Sequence, residues 1–406
     1  MNILFLSQIV PYPPHGGVLQ RGYNLIREIA GKNKVHLLAF VHPDVLKTRQ
    51  EIQTARQELE KYCAKVEFFD LWVKKSSIKK YSALLLALFS QLPFFVHAHR
   101  SNSFKQRVFE LTKDTNFDLI HFDTISLSRF IPGNERIPRV VTHHNIESRL
   151  MERRVSFENN PLARRYLSLQ AKRLRQYEAK ETGKYDMNIV MSRIDGEELK
   201  KINPAVNIAE VPNGVDTAYF QPGKENGTPS LIYTGGMNMF ANKDAVLYFL
   251  KDIWPLIKSR VPDIKFYAVG QDPPQELFRL ADDDRTIIVT GYVDDIRPLV
   301  TAASVYVVPL RVGGGTRLKV LDAMAMGKAI VSTSIGCEGI QVSNEKNIVI
   351  SDSPADFAEE TVYLLKNPDK RKSLGNSARN LVESTYSWKK IGLHLQGIYE
   401  NTVSQE

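Results

Sequence analysis

Short apolar runs alternate with amphipathic segments along the first half of the chain. Segments with apolar residues at helical spacing separate the runs, as in VLQRGYNLIREIAG after the first of them. A parallel sheet needs crossover helices between its strands, so this alternation predicts a doubly wound α/β domain. The runs that predict its strands are ILFLS, VHLLAF, VEFFDL, LIHF, RVVTHH and MNIVMS.

The alternation stops at a turn-rich segment near residues 200–220 and then resumes. After this segment, SLIYT, IKFYAVG, TIIVTG and SVYVVPL predict strands of a second α/β domain. We therefore expect one domain at residues 1–205, another at 215–385 and an amphipathic tract at 386–406. The residues that favour a turn in AEVPNGVDTAYFQP are Pro212, Asn213, Gly214 and Asp216.

Composition agrees with two ordinary domains. A chain of 406 residues with 43% apolar content is long enough for two hydrophobic cores. Cys63 and Cys337 lie far apart, which predicts no disulfide framework or metal cluster and fits a reducing, cytoplasmic location. The N-terminal MNILFLS has a short apolar run with no basic region before it, so we interpret it as a first strand and not a signal peptide.

Positive charge is concentrated in the first half of the chain. Residues 1–200 contain 32 Lys and Arg against 21 Asp and Glu, and the remaining residues contain 22 against 24. Residues 71–100 place four lysines beside a run rich in Leu and Phe, without reaching the roughly 18 apolar residues that span a bilayer. A helix lying on anionic lipid and a core helix with a solvated basic flank both remain open. No recognised nucleic-acid module is present, so nucleic acid is not an expected partner.

A second basic segment, residues 151–185, predicts one long helical tract. Most of its charge is expected to form a solvated face. Spacing alone does not choose which of its cations could contact a ligand. Its basic residues include Arg153, Arg154, Arg164, Arg165, Lys172, Arg173 and Arg175.

The stretch VPLRVGGGTRLKVLDAMAMGKAIVSTSIGCEG, residues 308–339, couples a glycine turn to a helix and then to a buried strand. Gly313, Gly314 and Gly315 carry no side chains, so the backbone can turn tightly and direct its N–H groups at an anion. Thr316 adds a hydroxyl group. This pattern predicts a phosphate-binding loop, and a tight turn without a ligand is the alternative.

A helix is predicted directly after the glycine turn. Leu318, Leu321 and Ala325 recur at helical spacing, so the turn ends at a positive helix N-terminus, where a diphosphate is favoured. Gly327 is expected to close this helix as its C-terminal cap. The segment KAIVST then returns as a buried strand.

This stretch resembles the nucleotide-sugar site of the retaining glycosyltransferases of family GT4, particularly a glycine-rich variant common among polysaccharide-assembly enzymes. The resemblance is strongest at residues 290–340 and weakest at 45–115. It implies the GT-B architecture, in which two Rossmann-like domains face a cleft and a C-terminal helix crosses back to the first domain, here with Trp388 as its anchor. It assigns acceptor binding to the first domain and donor binding to the second, joined at PNGVD.

Two glutamates separated by seven residues contact the donor sugar and the ribose in many GT4 members. The matching positions here are Gly314 and Asp322. An acid for the sugar is therefore absent, and Asp322 is expected to bind the ribose. The resemblance also assigns donor contacts to Gly315, Thr316 and Leu318.

Many GT4 enzymes neutralise the leaving diphosphate with an Arg and a Lys six residues apart. Gly236 and Asn242 occupy those positions here, and Lys243 lies one residue later. An unpaired diphosphate leaving group would slow the reaction by orders of magnitude. We therefore expect Arg317, Lys319 and the backbone N–H groups of residues 314–316 to supply the compensation.

Further donor contacts are expected on neighbouring loops. Gly235 and Gly236 permit close backbone approach, and Asn238 follows them in the same turn. The resemblance places the nucleotide base against backbone groups near Val293. The acidic run at residues 282–284 is interpreted as a solvated loop, because GT-B enzymes generally work without a bound metal, and no cofactor is expected.

In the first domain, Gly16 and Gly17 match the family's N-terminal glycine loop, which faces the donor phosphates. A GxGxxG pattern is missing, so they form no dinucleotide fingerprint, and a simple structural turn is the alternative.

The strand RVVTHH is followed by polar residues at the edge where α/β sheets bind ligands. His144 matches the family histidine of an HNxES segment, where it can donate a hydrogen bond to the sugar or stabilise the separating phosphate. A capping or packing role is the alternative for His144 and the expectation for His143. Glu147 is expected to cap the following helix.

The resemblance implies transfer of a sugar from a nucleotide-sugar donor to a glycan or lipid-linked acceptor, with retention, in polysaccharide or surface-glycan biosynthesis. Domain closure would bring Gly16, Gly17 and His144 over the reactive carbon. If the basic segment at residues 71–100 lies on lipid, peripheral association with the inner face of an anionic membrane is expected. A sugar-nucleotide epimerase remains an alternative that the basic first half disfavours. A non-catalytic sugar-nucleotide or glycan-binding protein is a second alternative, suggested by the departures at Gly314 and Asp322.

Overall fold

The computed structural model describes residues 1–14, 16–71, 73, 82, 87, 89–133, 137–313 and 317–404. The chain divides into two compact units. The first unit comprises Met1–Pro212 and Ile391–Glu406, and the second comprises Asn213–Lys390. The first unit is therefore built from two separate parts of the sequence.

The first unit contains a parallel sheet with the strand order β3-β2-β1-β4-β5-β6-β7. The order reverses between β1 and β4, which is the switch point where such sheets bind ligands. All six predicted strands are present, whereas β7 was missed because it is only three partly buried residues long. The strands are β1 (Asn2–Ser7), β2 (Lys34–Val41), β3 (Lys65–Asp70), β4 (Leu119–Phe122), β5 (Arg139–His143), β6 (Met187–Val190) and β7 (Ile208–Glu210).

Helical segments separate successive strands of this sheet, because parallel strands need crossover connections. The predicted single tract at residues 151–185 is wrong: Asn160 caps a new helix whose first residue is Pro161, so the tract is two helices. The described helices are α1 (Gly17–Ala30), α2 (Arg49–Glu60), α3 (Phe94–Ala98), α4 (Asn102–Asp114), α5 (Glu147–Ser156), α6 (Pro161–Glu181) and α7 (Arg193–Ile202). A 3₁₀ segment, Ile125–Phe130, follows β4.

The second unit contains a parallel sheet with the order β10-β9-β8-β11-β12-β13. Its switch point lies between β8 and β11. The strands are β8 (Ser230–Thr234), β9 (Lys265–Val269), β10 (Ile287–Gly291), β11 (Val305–Val308), β12 (Ala329–Ser332) and β13 (Val349–Ile350). The described helices are α8 (Phe240–Tyr248), α9 (Trp254–Lys258), α10 (Gln275–Asp283), α11 (Arg297–Ala302), α12 (Leu318–Ala325), α13 (Pro354–Lys366) and α14 (Pro368–Leu381).

The last helix, α15 (Trp388–Ser404), begins in the second unit and continues in the first. Within the first unit, Gln396 Oε1 accepts a hydrogen bond of 2.6 Å from Asn33 Nδ2, and Tyr399 OH lies 2.6 Å from His121 Nδ1. The predicted return of the chain is confirmed. Trp388 is not its anchor on the first unit, because its buried ring packs against Gly214 in the second unit.

Candidate functional site

The glycine turn of the second unit follows β11 and leads into α12. Gly313 has a φ of +134°, and a Cβ atom there would lie 2.8 Å from Arg317 Nη2, so the turn needs glycine at this position. Arg317 directly precedes α12 and is 11% exposed at its side chain, with Nη2 4.0 Å from Glu338 Oε2. The predicted ligands Gly314, Gly315 and Thr316 lie outside the described residues.

Lys319 brings a second cation to the same place. Its Nζ donates hydrogen bonds to Asn242 Oδ1 at 2.8 Å and to Tyr233 OH at 3.0 Å, and it lies 4.3 Å from the Tyr233 ring centre. Gly235 provides the room for this contact, since a Cβ atom there would lie 2.5 Å from Lys319 Nζ. Burial, and then the charge of Arg317, lower the pKa of Lys319 to about 7.

Many GT4 enzymes have a lysine where this chain has Asn242. Lys319 donates a hydrogen bond to Asn242, so its ammonium group lies next to that position. Asn242 also donates from Nδ2 to the Gly236 carbonyl oxygen at 2.8 Å, which fixes its Oδ1 toward the lysine. Lys243, the neighbouring candidate, is exposed. A cation and its supporting amide are thus assembled from α12 and α8, although these elements are distant in sequence.

Asp322 lies one turn further along α12. Its Oδ1 atom is buried and has no hydrogen-bond partner among the described residues, while the residue as a whole keeps partial exposure. Burial raises the pKa of this carboxyl to about 8. At neutral pH the group is therefore mainly protonated and can both donate and accept a hydrogen bond, as a hydroxyl ligand would require.

The remaining residues that are predicted to bind the donor lie in segments that follow the carboxyl ends of strands in the same sheet. Asn238 is exposed beside Gly236, where a Cβ atom would lie 2.8 Å from Asn238 Oδ1. Leu318 and Val293 are partly buried against the core of the second unit, and Val293 follows the edge strand β10.

The prediction that residues 282–284 form a solvated loop is wrong, because Asp282 and Asp283 are the last residues of α10. Asp284 accepts a hydrogen bond from Trp254 Nε1 at 3.1 Å and pairs with Lys258, and contacts of this kind lower the pKa of its carboxyl against the opposing effect of burial. Asp282 lies 3.5 Å from Arg285. Across the described residues, no group of three or more His, Cys, Asp or Glu could hold a metal ion.

In the first unit, polar side chains meet at the switch point between β1 and β4. His144 Nε2 lies 3.0 Å from Asp123 Oδ1, and Asp123 Oδ2 accepts a hydrogen bond of 3.2 Å from Ser7 Oγ. The side chains of His144 and Asp123 are only 9% and 2% exposed. A carboxylate at this distance favours a proton on Nε2 and leaves Nδ1 of the imidazole as the hydrogen-bond acceptor.

The two adjacent histidines have different environments. His143 is buried with Nε2 3.0 Å from Asn188 Oδ1, and burial lowers its pKa to about 4. This is the packing role expected for His143. His144 contacts the Asp123 carboxylate instead. The two adjacent histidines therefore differ in the side chain that each one contacts.

Sequence analysis missed Asp123 and Arg21. Asp123 is the first polar residue after the apolar strand LIHF, which is the same signal that indicated His144 after β5. Arg21 is buried in α1 and donates to the carbonyl oxygens of Pro212 at 2.8 Å and Val211 at 2.9 Å. Burial lowers its pKa to about 10, while Asp123 opposes this shift, so Arg21 keeps its charge.

The N-terminal glycines are placed at the start of α1. Gly16 has a φ of +89°, a conformation that favours glycine, and Gly17 begins the helix. Glu147 begins α5, but the cap position is Ile146 and no side-chain capping bond forms, so the capping expectation is wrong. Burial, followed by the nearby Glu178, raises the pKa of Glu147 to about 7.

Among the described residues, no helix is long and apolar enough to cross a membrane. The four lysines of the predicted lipid-contacting helix, at positions 74, 75, 79 and 80, lie outside the described residues.

Family models match both halves of the chain. The model "Glycosyltransferase Family 4" matches residues 15–219, and "Glycosyl transferases group 1" matches residues 228–367. A Klebsiella pneumoniae protein, described as uncharacterized and in the cps region, is 24% identical over 40% of this chain and 44% of its own length. A Mycobacterium tuberculosis phosphatidyl-myo-inositol mannosyltransferase is 26% identical over 48% of this chain and 54% of its own length. The matches thus span about half the length of these curated relatives.

The structure of Anabaena HepE in complex with UDP is similar along the whole chain. It has a TM-score of 0.65 at 13% identity and covers 99% of this chain and 100% of HepE. Together with the two doubly wound sheets and the returning helix, this likeness confirms the GT-B fold.

Proposed function

The chain belongs to Glycosyltransferase Family 4, and from this membership we propose that it transfers a sugar from a nucleotide-sugar donor to a glycan or lipid-linked acceptor. The observation that carries the proposal is the pair of cations at the start of α12. Arg317 and Lys319 stand beside the glycine turn, and Lys319 is held there by Asn242. Two cations at a helix N-terminus suit a diphosphate.

The donor fits the other groups of the second unit. We assign the ribose hydroxyls to Asp322, because its orphaned carboxyl oxygen needs a polar partner. The complex of HepE with UDP supports a uridine nucleotide. In this proposal Arg317 and Lys319 stabilise the departing diphosphate in place of a metal ion.

We assign the transfer step in the first unit to His144. The bond between the sugar's anomeric carbon and the diphosphate oxygen breaks, and a bond to the acceptor oxygen forms. The acceptor's proton passes to the departing diphosphate, and attack from the same face gives retention, as the resemblance implies. His144 accepts a hydrogen bond at Nδ1 from a hydroxyl of the reacting sugar, while Asp123 fixes its orientation and tautomer.

The acceptor is proposed to be a lipid-linked or surface glycan. The cps-region relative and the phosphatidylinositol mannosyltransferase support this class. We also propose peripheral binding to anionic membranes through the hairpin formed by α5 and α6. Its tip exposes Phe157 by 53% and Leu162 by 81%, and exposed Arg154, Arg164 and Arg165 flank the two apolar side chains.

Calorimetric titration with UDP-, GDP- and ADP-sugars tests the donor site. We expect one donor to bind and the Arg317→Ala variant to bind it roughly 10- to 100-fold more weakly, the scale of charged hydrogen bonds. Arg285→Ala is the matched control, because Arg285 is 84% exposed in the same unit and pairs only locally with Asp282 among the contacts described above.

Absence of binding by every donor would contradict the proposal. Binding without transfer to any supplied acceptor would instead favour the non-catalytic binding protein. An equal loss in both arginine variants would show that the effect does not come from the diphosphate site.

A further inference from the structure

The first unit contains a cavity of about 430 Å³ at the carboxyl ends of β1, β2 and β3. This volume falls in the range of about 300–1,000 Å³ that small-molecule sites occupy. Its apolar lining comes from four elements or their extensions, the β1 loop, α1, the chain after β3, and α3. The apolar lining residues are Ile9, Val18, Leu71, Val73, Phe94 and Ala98.

The polar groups of the lining offer little to a charged ligand. His99 lies with Nδ1 3.2 Å from the Phe95 carbonyl oxygen and 3.1 Å from Ser126 Oγ, so this nitrogen is engaged by the protein. Burial lowers the pKa of His99 to about 4, and the ring is neutral. The other polar lining residues are Gln8 and His42, and the described lining contains no Lys, Arg, Asp or Glu. Phosphate and polyol ligands need more polar partners than this lining supplies.

The cavity borders the Ser7–Asp123–His144 cluster. Gln8, which lines the cavity, directly follows Ser7, whose hydroxyl donates to Asp123. On another side, Ser126 contacts His99 and lies three residues after Asp123. An apolar chamber and a polar reaction cluster are therefore adjacent at one edge of one sheet.

Apolar surface continues outside the cavity. Leu92 and Phe89 precede the lining residue Phe94 and are 38% and 86% exposed. These two apolar side chains lie on the segment that leads into α3, whose residues line the cavity. Both features point to a ligand with a hydrocarbon portion.

We propose that this cavity binds the hydrocarbon chain of the acceptor lipid and thereby presents the acceptor hydroxyl to His144. The proposal rests on the proposed function and specifies its acceptor as an amphiphile. Isoprenoid and acyl lipids share this chemistry. In the inferred site, apolar contacts bind the hydrocarbon chain of the acceptor. Hydrogen bonds to the polar end of the acceptor come from the neighbouring Ser7–Asp123–His144 cluster.

A chain-length series of alkyl β-glucosides tests the proposal with the full chain. Methyl, butyl and octyl glucoside are titrated calorimetrically below their micellar concentrations. We expect affinity to rise by up to roughly fourfold per methylene until the cavity is full. Decyl and geranyl glucosides, each with ten carbons in the hydrocarbon group, separate the sources: tighter decyl binding assigns an acyl lipid, and tighter geranyl binding assigns an isoprenoid.

Ala98→Phe fills the cavity and should remove most of the chain-length dependence. Val18→Phe reduces the cavity volume from the α1 side and replaces Ala98→Phe if that variant does not fold. Thermal unfolding shows whether each variant is folded. Ala179→Phe is the matched control, because Ala179 is exposed on α6 away from the lining.

Affinity that does not depend on chain length would overturn the proposal, as would an unchanged dependence in folded Ala98→Phe and Val18→Phe. Donor binding is measured in the same samples, because it depends on the second unit. Its failure in the unmodified protein would overturn the proposed function while leaving the alkyl series readable. Donor binding and transfer without chain-length dependence would overturn only the cavity assignment.

Discussion

Lys319 loses most of its contact with water, and burial together with Arg317 lowers its pKa to about 7. A bound diphosphate would raise this pKa, because an opposite charge favours the ammonium form. Above pH 7 the free protein has mainly neutral lysine, so donor binding should take up as much as one proton. Affinity should then fall by up to about tenfold per pH unit between pH 7 and 9.

Calorimetry of a nucleotide-sugar in buffers of different ionisation enthalpy measures this proton. Lys319→Met should abolish the uptake, while Lys243→Met should preserve it because Lys243 is exposed. Affinity that is constant from pH 6.5 to 9 would contradict the role assigned to Lys319.

We assign Asp123 the role of positioning His144 and no direct contact with the reacting atoms. Asp123→Asn removes the carboxylate that accepts from His144, so we expect transfer to slow by roughly 100-fold, the scale of a misplaced active-site group. Donor affinity, a property of the second unit, should be unchanged.

Asp118→Asn is the control for Asp123→Asn. Asp118 lies just before β4 and accepts from the Asn2 backbone N–H, whereas Asp123 lies just after the same strand. Equal losses in both variants, or a full rate in Asp123→Asn, would contradict the positioning role.

The residue-level predictions rest on local patterns in the sequence. Arg317 and Lys319 lie within a motif, and His144 follows an apolar strand. The contact between Lys319 and Asn242 joins positions 77 residues apart, so only the tertiary fold creates it. Asp123 had a local signal that was not used, namely a polar residue directly after β4.

At the scale of elements, the α5–α6 hairpin is the main departure from expectation. Charge and helical periodicity correctly predicted helical structure in this tract. However, Asn160 caps a new helix and Pro161 begins its first turn, so the tract is interrupted. The strands were predicted well because buried parallel strands are continuous apolar runs. Strand β7 has no such run.

The hairpin tip provides a test of membrane binding. The double variant Phe157→Ser and Leu162→Ser should lower binding to phosphatidylglycerol vesicles by roughly tenfold or more, since each apolar side chain contributes about 1.5–3 kcal/mol when fully buried. Ile194→Ser is the control, being 43% exposed on α7 of the same unit. Vesicle co-sedimentation measures both.

Equal binding of the double variant and the unmodified protein would contradict the assignment. Binding to neutral phosphatidylcholine as strong as to the anionic vesicles would show that the arginines do not contribute.

At the scale of the whole molecule, sequence was sufficient for the fold class and for two α/β sheets. Alternating strands and helices leave few topologies, and both sheets have the order reversal of a doubly wound fold. The returning helix came from resemblance and not from periodicity. Its attachment depends on single contacts such as Asn33 with Gln396, which no local pattern indicates.

The first unit is built from two separate parts of the sequence, and this affects the order in which the protein can fold during synthesis. Residues 391–404 leave the ribosome after the whole second unit, yet Tyr399 and Gln396 fill places in the core of the first. The second unit is one continuous segment and can fold as it emerges. The first unit is synthesised first but completed only last: all seven of its strands precede residue 211, yet the contact that α15 makes with His121 can form only after the second unit has been made.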